Sequence, residues 1–226
     1  MNLLAIETST HHLSVALLMG DACLKRSEFL ANGGSDRLLP WIQALLAEGE
    51  VTLKQLDGIA FGAGPGAFTG LRLACGVTQG LAFGADLPVV GICTLEAMAF
   101  NAGAERVFAC LDARMNEVYV AAYVKEGEAS FNCVQAPAVM PPEQVEAPAG
   151  IWAAVGDGFA SYATTLQSRF PESNASVMPT AEAVARLAAP RFARSEGQPA
   201  IAAAPLYVRD KVALTTAERL ARGGQR

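Results

Sequence analysis

Histidine is nearly absent from this sequence. The two present, His11 and His12, are adjacent. Neighbours on an extended chain point to opposite faces, so the pair does not converge on one ion. The helical HxxxH spacing of a metal site does not occur either. Cysteine is sparse and unpatterned. Cys23, Cys75, Cys93, Cys110 and Cys133 make an odd count with no CxxC pair, which fits reduced and mostly buried thiols rather than a disulfide framework or a zinc site. No metal and no cofactor are therefore expected.

Long apolar runs are missing too. Arg72 interrupts one candidate span, and Asp86 with Pro88 the next, so no transmembrane segment is expected. The opening MNLLAIETST has no basic stretch and meets Glu7, which reads as a strand and not a signal peptide. These features together predict a cytoplasmic chain. Positive charge is also short: the formal net charge is −5 over 226 residues, which argues against unaided tight binding of a polyanion. The charge is uneven, however. Residues 186–226 hold eight basic groups (Arg186, Arg191, Arg194, Arg209, Lys211, Arg219, Arg222, Arg226) against Glu196, Asp210 and Glu218. That segment is either a solvated surface or a docking edge for an acidic partner or RNA.

What is present is a pattern that occurs twice. Leu3–Ile6, Leu13–Met19 and Ala22–Leu30 are closely spaced apolar runs, as in an antiparallel meander. Asn32-Gly33-Gly34 breaks the chain. Ser35 or Asp36 then caps a helix with Leu38, Leu39, Ile42, Leu45 and Leu46 at helical spacing, provided Pro40 lies in its first turn. Leu56–Phe61 reads as a strand, Thr69 as the cap of a second helix running to about Gly84, Pro88–Cys93 as a strand, and Thr94 as the start of a third helix. Arg106–Leu111, Glu117–Val124 and Phe131–Met140 then repeat the meander. Ile151–Val155 is a further strand, closed by Gly156-Asp157-Gly158, and Pro179-Thr180 opens a last helix. Three strands, helix, strand, helix thus recurs, and an acid, Glu7 or Asp112, ends the first strand each time. This predicts two related α/β halves, 1–104 and 105–212, with a cleft between them and a polar tail over 213–226. A single irregular α/β sheet is the alternative.

Two places could carry chemistry. Gly62–Gly66 precedes a helix N-terminus, where free N–H groups favour anions. GxxxxGK[ST] and GxGxxG are both missing, so a tight turn is the better reading. The first hairpin offers Glu7, Thr8 and Ser9 without glycine or lysine. With Asp112, Gly156 and Gly158 from the second half, it reads as a degenerate nucleotide site. No residue is assigned a catalytic role.

The second helix is unusual in its glycines. Gly76, Gly80 and Gly84 lie four apart, beside a small ridge of Ala74, Thr78 and Ala82. Each interior glycine costs about 0.5–1 kcal/mol relative to alanine, so close packing must offset it. The ridge meets either the chain's own sheet or another chain. On the second reading, the first two long helices form a partner surface comprising Leu38, Leu39, Ile42, Leu45, Leu71, Arg72, Cys75, Gly76, Thr78 and Gly80.

The segments IETSTHHLSVAL, GPGAFTGLR, LPVVGICTLEAMA, DARMNEVYVAAY and APLYVRDKVA, in this order, resemble the bacterial TsaB (YeaZ) family over nearly the whole chain, from Leu3 to about Leu214. Gly64–Arg72 and Asp112–Tyr119 are the most specific blocks. The resemblance implies an actin-like, hsp70-like (ASKHA) fold. It also implies a role in forming threonylcarbamoyladenosine beside the anticodon of tRNAs that read codons beginning with A. In that family this chain is not the catalyst. A homologous TsaD subunit, with metal-binding histidines, transfers the threonylcarbamoyl group from its adenylate. TsaB pairs with TsaD, and the ATPase TsaE joins them. The implied partners are thus a TsaD-like subunit, a TsaE-like ATPase, a second copy when the partner is absent, and tRNA only through the complex. Asn116, where a glycine is common in the family, and Asp36, where histidine is frequent, depart from its pattern. An independent actin-like enzyme, such as a glycoprotease-like peptidase or a small-molecule kinase, and a homodimeric scaffold with no tRNA role are the alternatives.

Overall fold

The computed structural model describes residues 1–30 and 34–209. The Asn32-Gly33 break, the tail over 213–226 and the basic groups beyond Arg209 lie outside the described residues.

The apolar runs of the first half form β1 (Asn2–Glu7), β2 (His12–Met19) and β3 (Ala22–Phe29), an antiparallel meander. Helix α1 (Ser35–Glu48), strand β4 (Gly58–Gly64), helix α2 (Phe68–Ala85), strand β5 (Val89–Cys93) and helix α3 (Thr94–Ala102) follow. The sheet order is β3-β2-β1-β4-β5, with β4 parallel to both β1 and β5. The second half repeats it with β6 (Arg106–Arg114), β7 (Glu117–Gly127), β8 (Ser130–Met140) and β9 (Ala153–Val155), in the order β8-β7-β6-β9, again with the last strand parallel to the first. The duplication is therefore a repeat of topology, and the fold is the actin-like α/β arrangement.

The repeat is incomplete in two places: the second sheet has four strands, with no counterpart of β5, and it lacks a helix. No helix stands between β8 and β9. The stretch PPEQVEAPAG makes only a 3-10 turn, Pro142–Gln144, because three prolines and no apolar periodicity leave a helix nothing to bury. Short helices α4 (Gly158–Ser161) and α5 (Ala163–Leu166) follow β9, then α6 (Ala181–Ala193), capped by Thr180, whose hydroxyl accepts from Ala183 N.

Strand alternation sends side chains to two faces. Leu4, Ile6 and Phe61 pack under α1 and α2, against Leu38, Ile42, Leu45 and Ala74. Leu3, Ala5, Ala60 and Val90 face α6. In the second sheet Val107, Ala109 and Leu111 face α3, while Phe108 and Cys110 face Phe159 and Leu166 of α4 and α5. Each half thus lends its last helix to the other sheet: α3 belongs to the first half by sequence and packs on the second sheet, and α6 does the reverse. Arg191 of α6 joins both carboxylate oxygens of Glu96 in α3 at 2.7 Å, tying the exchange.

Local details differ from the sequence expectation. Pro40 sits in the second turn of α1, with Gly34 as cap. An interior proline costs about 3 kcal/mol. Burial of Leu38, Ile42 and Leu45, each worth about 1.5–3 kcal/mol, outweighs that. Helix α2 starts at Phe68 with Ala67 as cap, so Thr69 lies inside the helix and caps nothing. The five cysteines are free, but only Cys75 and Cys110 are buried; Cys133 is exposed. Burial pushes the Cys75 thiol up to about 11. No helix among the described residues is long and apolar enough to cross a membrane.

Candidate functional site

The two sheets present equivalent turns to one cleft. In the first half, β1 ends at Glu7 and turns through Thr8–His11 into β2, directly over the β4–α2 loop. The two are fastened together. Thr8 Oγ1 donates to Gly70 O at 2.6 Å, and Ala67 N donates to Ser9 O at 2.7 Å. A Cβ at Gly70 would lie 1.9 Å from Thr8 O, and one at Gly66 would lie 2.3 Å from Ser9 O. The glycines of GPGAFTGLR therefore serve close approach of two backbones, not a phosphate cradle.

Glu7 lies beneath this seam and is fully buried. Its Oε1 accepts from Ser9 N at 2.6 Å, while Oε2 has no hydrogen-bond partner and would touch any Cβ placed at Gly62, at 2.0 Å. Burial pushes the Glu7 carboxyl above its ordinary value. The nearby Ser9 hydroxyl and the backbone N–H groups of Ser9 and Thr8 pull it only part of the way back. Ser9 is 1% exposed and its Oγ makes no hydrogen bond of good geometry.

In the second half the β6–β7 turn runs through Arg114, Met115 and Asn116, all at left-handed φ of 60°, 56° and 59°. Asparagine tolerates that region better than most residues, which explains how Asn116 stands in for glycine. Asp112 is fully engaged: it accepts from Arg114 N at 2.7 Å, Tyr162 OH at 3.2 Å and the Arg114 guanidinium at 3.1 Å. Asp157 Oδ1 accepts from Asp112 N at 3.0 Å, and burial raises its carboxyl. Gly156, at φ 113°, and Gly158 are pressed against Cys110, their absent Cβ atoms 2.2 Å from its O and 2.6 Å from its Sγ. These two residues are packing glycines. Asp157 between them lines the cleft.

A cavity of about 230 Å³ lies between the turns, lined among others by Ser9, His11, Asp112, Arg114, Asp157 and Arg209. His11 and Arg114 bridge it: Arg114 Nη2 lies 2.8 Å from His11 Nε2. Guanidinium only donates, so Nε2 is the accepting atom of this contact. His12 points the other way, its ring 4.6 Å from Phe29 and its Nδ1 3.3 Å from Pro179 O. Opposite facing of the pair is visible in the sequence; the cross-cleft partner of His11 is not, because Arg114 is 103 residues away. Tyr207 and Arg209, which also line the cavity, arrive from the C-terminal segment APLYVRDKVA, whose family resemblance assigns it no site role. Among the described residues no three His, Cys, Asp or Glu side chains converge as metal ligands.

The partner surface expected on α1 and α2 divides in two. Leu38, Ile42, Leu45, Leu71, Cys75 and Thr78 are buried in the chain's own core, so they cannot form an outer face. Residues two apart on a helix lie about 200° apart, so the Ala74–Thr78–Ala82 ridge and the Gly76–Gly80–Gly84 ridge occupy opposite sides. The first takes the sheet. Leu39, Arg72, Gly76 and Gly80 are exposed, with Phe83 beyond them at 86% exposure. A Cβ at Gly76, Gly80 or Gly84 would meet nothing within 4 Å.

The basic character of 186–209 is neutralised locally. Arg186 pairs with Glu182, Arg191 with Glu96, Arg194 with Glu196 and Arg209 with Glu117. The described part of this segment therefore presents no free cationic patch for RNA.

The family model described as TsaD: tRNA N6-adenosine threonylcarbamoyltransferase matches residues 28–224. The tRNA threonylcarbamoyladenosine biosynthesis protein TsaB of Escherichia coli is 35% identical over 223 residues, 94% of this chain and 96% of that protein. Its Haemophilus influenzae counterpart is 38% identical over 229 residues, 94% and 95% of the two chains. Two solved structures from Pseudomonas aeruginosa, one called YeaZ and one an uncharacterized protein with similarity to peptidase YEAZ, are each 41% identical. They superpose with TM-scores of 0.83 and 0.84 over 91% and 92% of this chain and 99% of each of theirs.

Proposed function

The chain belongs to the TsaB (YeaZ) family, and from that premise we propose that it is a non-catalytic subunit required for threonylcarbamoyladenosine formation on tRNA, acting by pairing with a TsaD-like catalytic subunit. One observation carries the non-catalytic reading. The turns that would hold a ligand in an actin-like enzyme are fastened to the chain itself, with Thr8 and Ser9 joined to the first turn of α2 and Glu7 sealed under Gly62. On this reading the chemistry falls to a TsaD-like partner. A TsaE-like ATPase completes the cytoplasmic complex, tRNA is held by the assembly, and a second copy occupies the partner face when the partner is missing.

The outward glycine ridge of α2 supports that pairing. It exposes backbone along two turns, flanked by Arg72 and Phe83, and admits the close approach of another helix. Mixing the chain with its cognate TsaD-like subunit and measuring mass by light scattering should give a stoichiometric complex. Two unshifted species would overturn the reading.

Glu7→Gln separates a structural from a catalytic carboxylate. The folded Glu7 carboxyl titrates above its unfolded value of 4.5. Between those two values the folded state holds a proton that the unfolded state has released, so wild-type stability falls as pH rises through that window and stays low above it. Glutamine does not ionise. The variant should melt higher than wild type at neutral pH, the advantage should vanish in acid, and tRNA modification by the complex should be unchanged. Loss of modification with the fold intact would assign Glu7 to catalysis.

A further inference from the structure

We propose that residues 206–209 form a clasp joining the outer end of α2 to the β6–β7 hairpin, which makes Arg209 a positioning residue for the partner face. On the first half, Leu206 N donates to Ala63 O at 2.7 Å, and Gln79 Nε2 holds Ala203 O at 2.8 Å just upstream. Tyr207 lies against Phe68, ring centroids 6.1 Å apart, and its hydroxyl accepts from Arg72 Nε at 3.3 Å. The Arg72 guanidinium in turn covers the Phe68 ring at 4.0 Å. This Phe68–Arg72–Tyr207 cluster is exposed, and it stands at the start of the same helix that presents the glycine ridge.

On the second half, Arg209 grips both strands of the hairpin beside its turn. Its Nη2 donates to Ala113 O at 3.0 Å on β6 and to the Glu117 carboxylate on β7, and its guanidinium lies 5.8 Å from the Tyr119 ring centre. The Arg209 side chain is only 15% exposed, so solvent screens the pair with Glu117 weakly. Tyr207 and Arg209 are separated by one residue. A shift of the hairpin therefore moves Arg209, then Tyr207, then the Arg72 and Phe68 side chains. A partner that fixes Arg72 and Phe68 quiets the hairpin by the same route, since coupling between two sites is reciprocal.

The proposal rests on the reading that the outer face of α2 meets a TsaD-like subunit, and its test keeps the two apart. Hydrogen exchange is measured on the full chain, alone and with the cognate TsaD-like subunit, for wild type, Arg209→Ala and the milder Glu117→Gln. In the isolated chain both variants should exchange faster than wild type at 203–209 and at 112–117. Adding the partner to wild type should slow exchange at 112–117 by about tenfold, the scale of one charge-assisted hydrogen bond. In the variants the partner should still bind, about tenfold more weakly, without slowing 112–117. Equal slowing in wild type and variants, or none in wild type, overturns the clasp, as does unchanged exchange in the isolated variants. A wild-type chain that fails to bind overturns the pairing instead, and the isolated-chain comparison still decides the clasp.

Discussion

Gly80→Arg should leave this chain folded and weaken its pairing with a TsaD-like subunit at least a hundredfold. The position is an exposed helix interior where a Cβ would meet nothing within 4 Å, so the long side chain has room in the free chain. Replacing glycine there also removes a helix penalty of about 0.5–1 kcal/mol, and the isolated variant should melt no lower than wild type. At an interface built on close backbone approach, the same side chain holds the two helices apart and brings a charge that must be desolvated. The measurement is binding by calorimetry alongside a melting curve. Undiminished affinity would move the partner face off α2. Cys75, on the other side of this helix, gives no such test: it is 6% exposed, and arginine there would disrupt the chain's own core.

Gly70→Ala, ten residues earlier in the same helix, should do the opposite. Its Cβ would fall 1.9 Å from the backbone oxygen of Thr8, and the β1–β2 turn cannot retreat without breaking the Thr8 Oγ1 bond to Gly70 O. Overpacking of this kind costs about 3 kcal/mol. For a domain of this size that lowers the melting temperature by about 6–12 °C. Gly80→Ala, run beside it, should raise the melting temperature slightly. Equal and small effects at the two sites would mean that the seam between the first hairpin and α2 is slack, and the fastening of the first hairpin to the chain itself would lose its main support.

These two glycines show where sequence reading stops. Spacing of four identifies a ridge, and both ridges of α2 are legible as ridges. Which one meets the sheet depends on how the helix is rotated about its axis, which small residues on both sides leave undetermined. The same limit applies to α1, where helical periodicity marks Leu38, Ile42 and Leu45 as a buried stripe but does not say whether the chain or a partner buries it. Here the first sheet does. The duplication is legible because the meander spacing and the acid ending the first strand recur at Glu7 and Asp112. The exchange of α3 and α6 between sheets is not, since amphipathic helices carry no mark of the sheet they will cover. Within the cleft, local residues announce Glu7, Thr8, Ser9 and Asp112. The Arg114–His11 bridge and the Tyr207–Arg209 arm unite positions about 90–140 residues apart, for which a single sequence gives no pairing signal.

Purified TsaD-like subunit, TsaE-like ATPase, tRNA and a supply of threonylcarbamoyl-adenylate, assayed with and without this chain, test the central claim most directly. Modified adenosine should form only when this chain and the TsaD-like subunit are both present, and this chain with tRNA and the adenylate alone should form none. An unchanged rate on omitting the chain, or modification by the chain on its own, would contradict a non-catalytic partner.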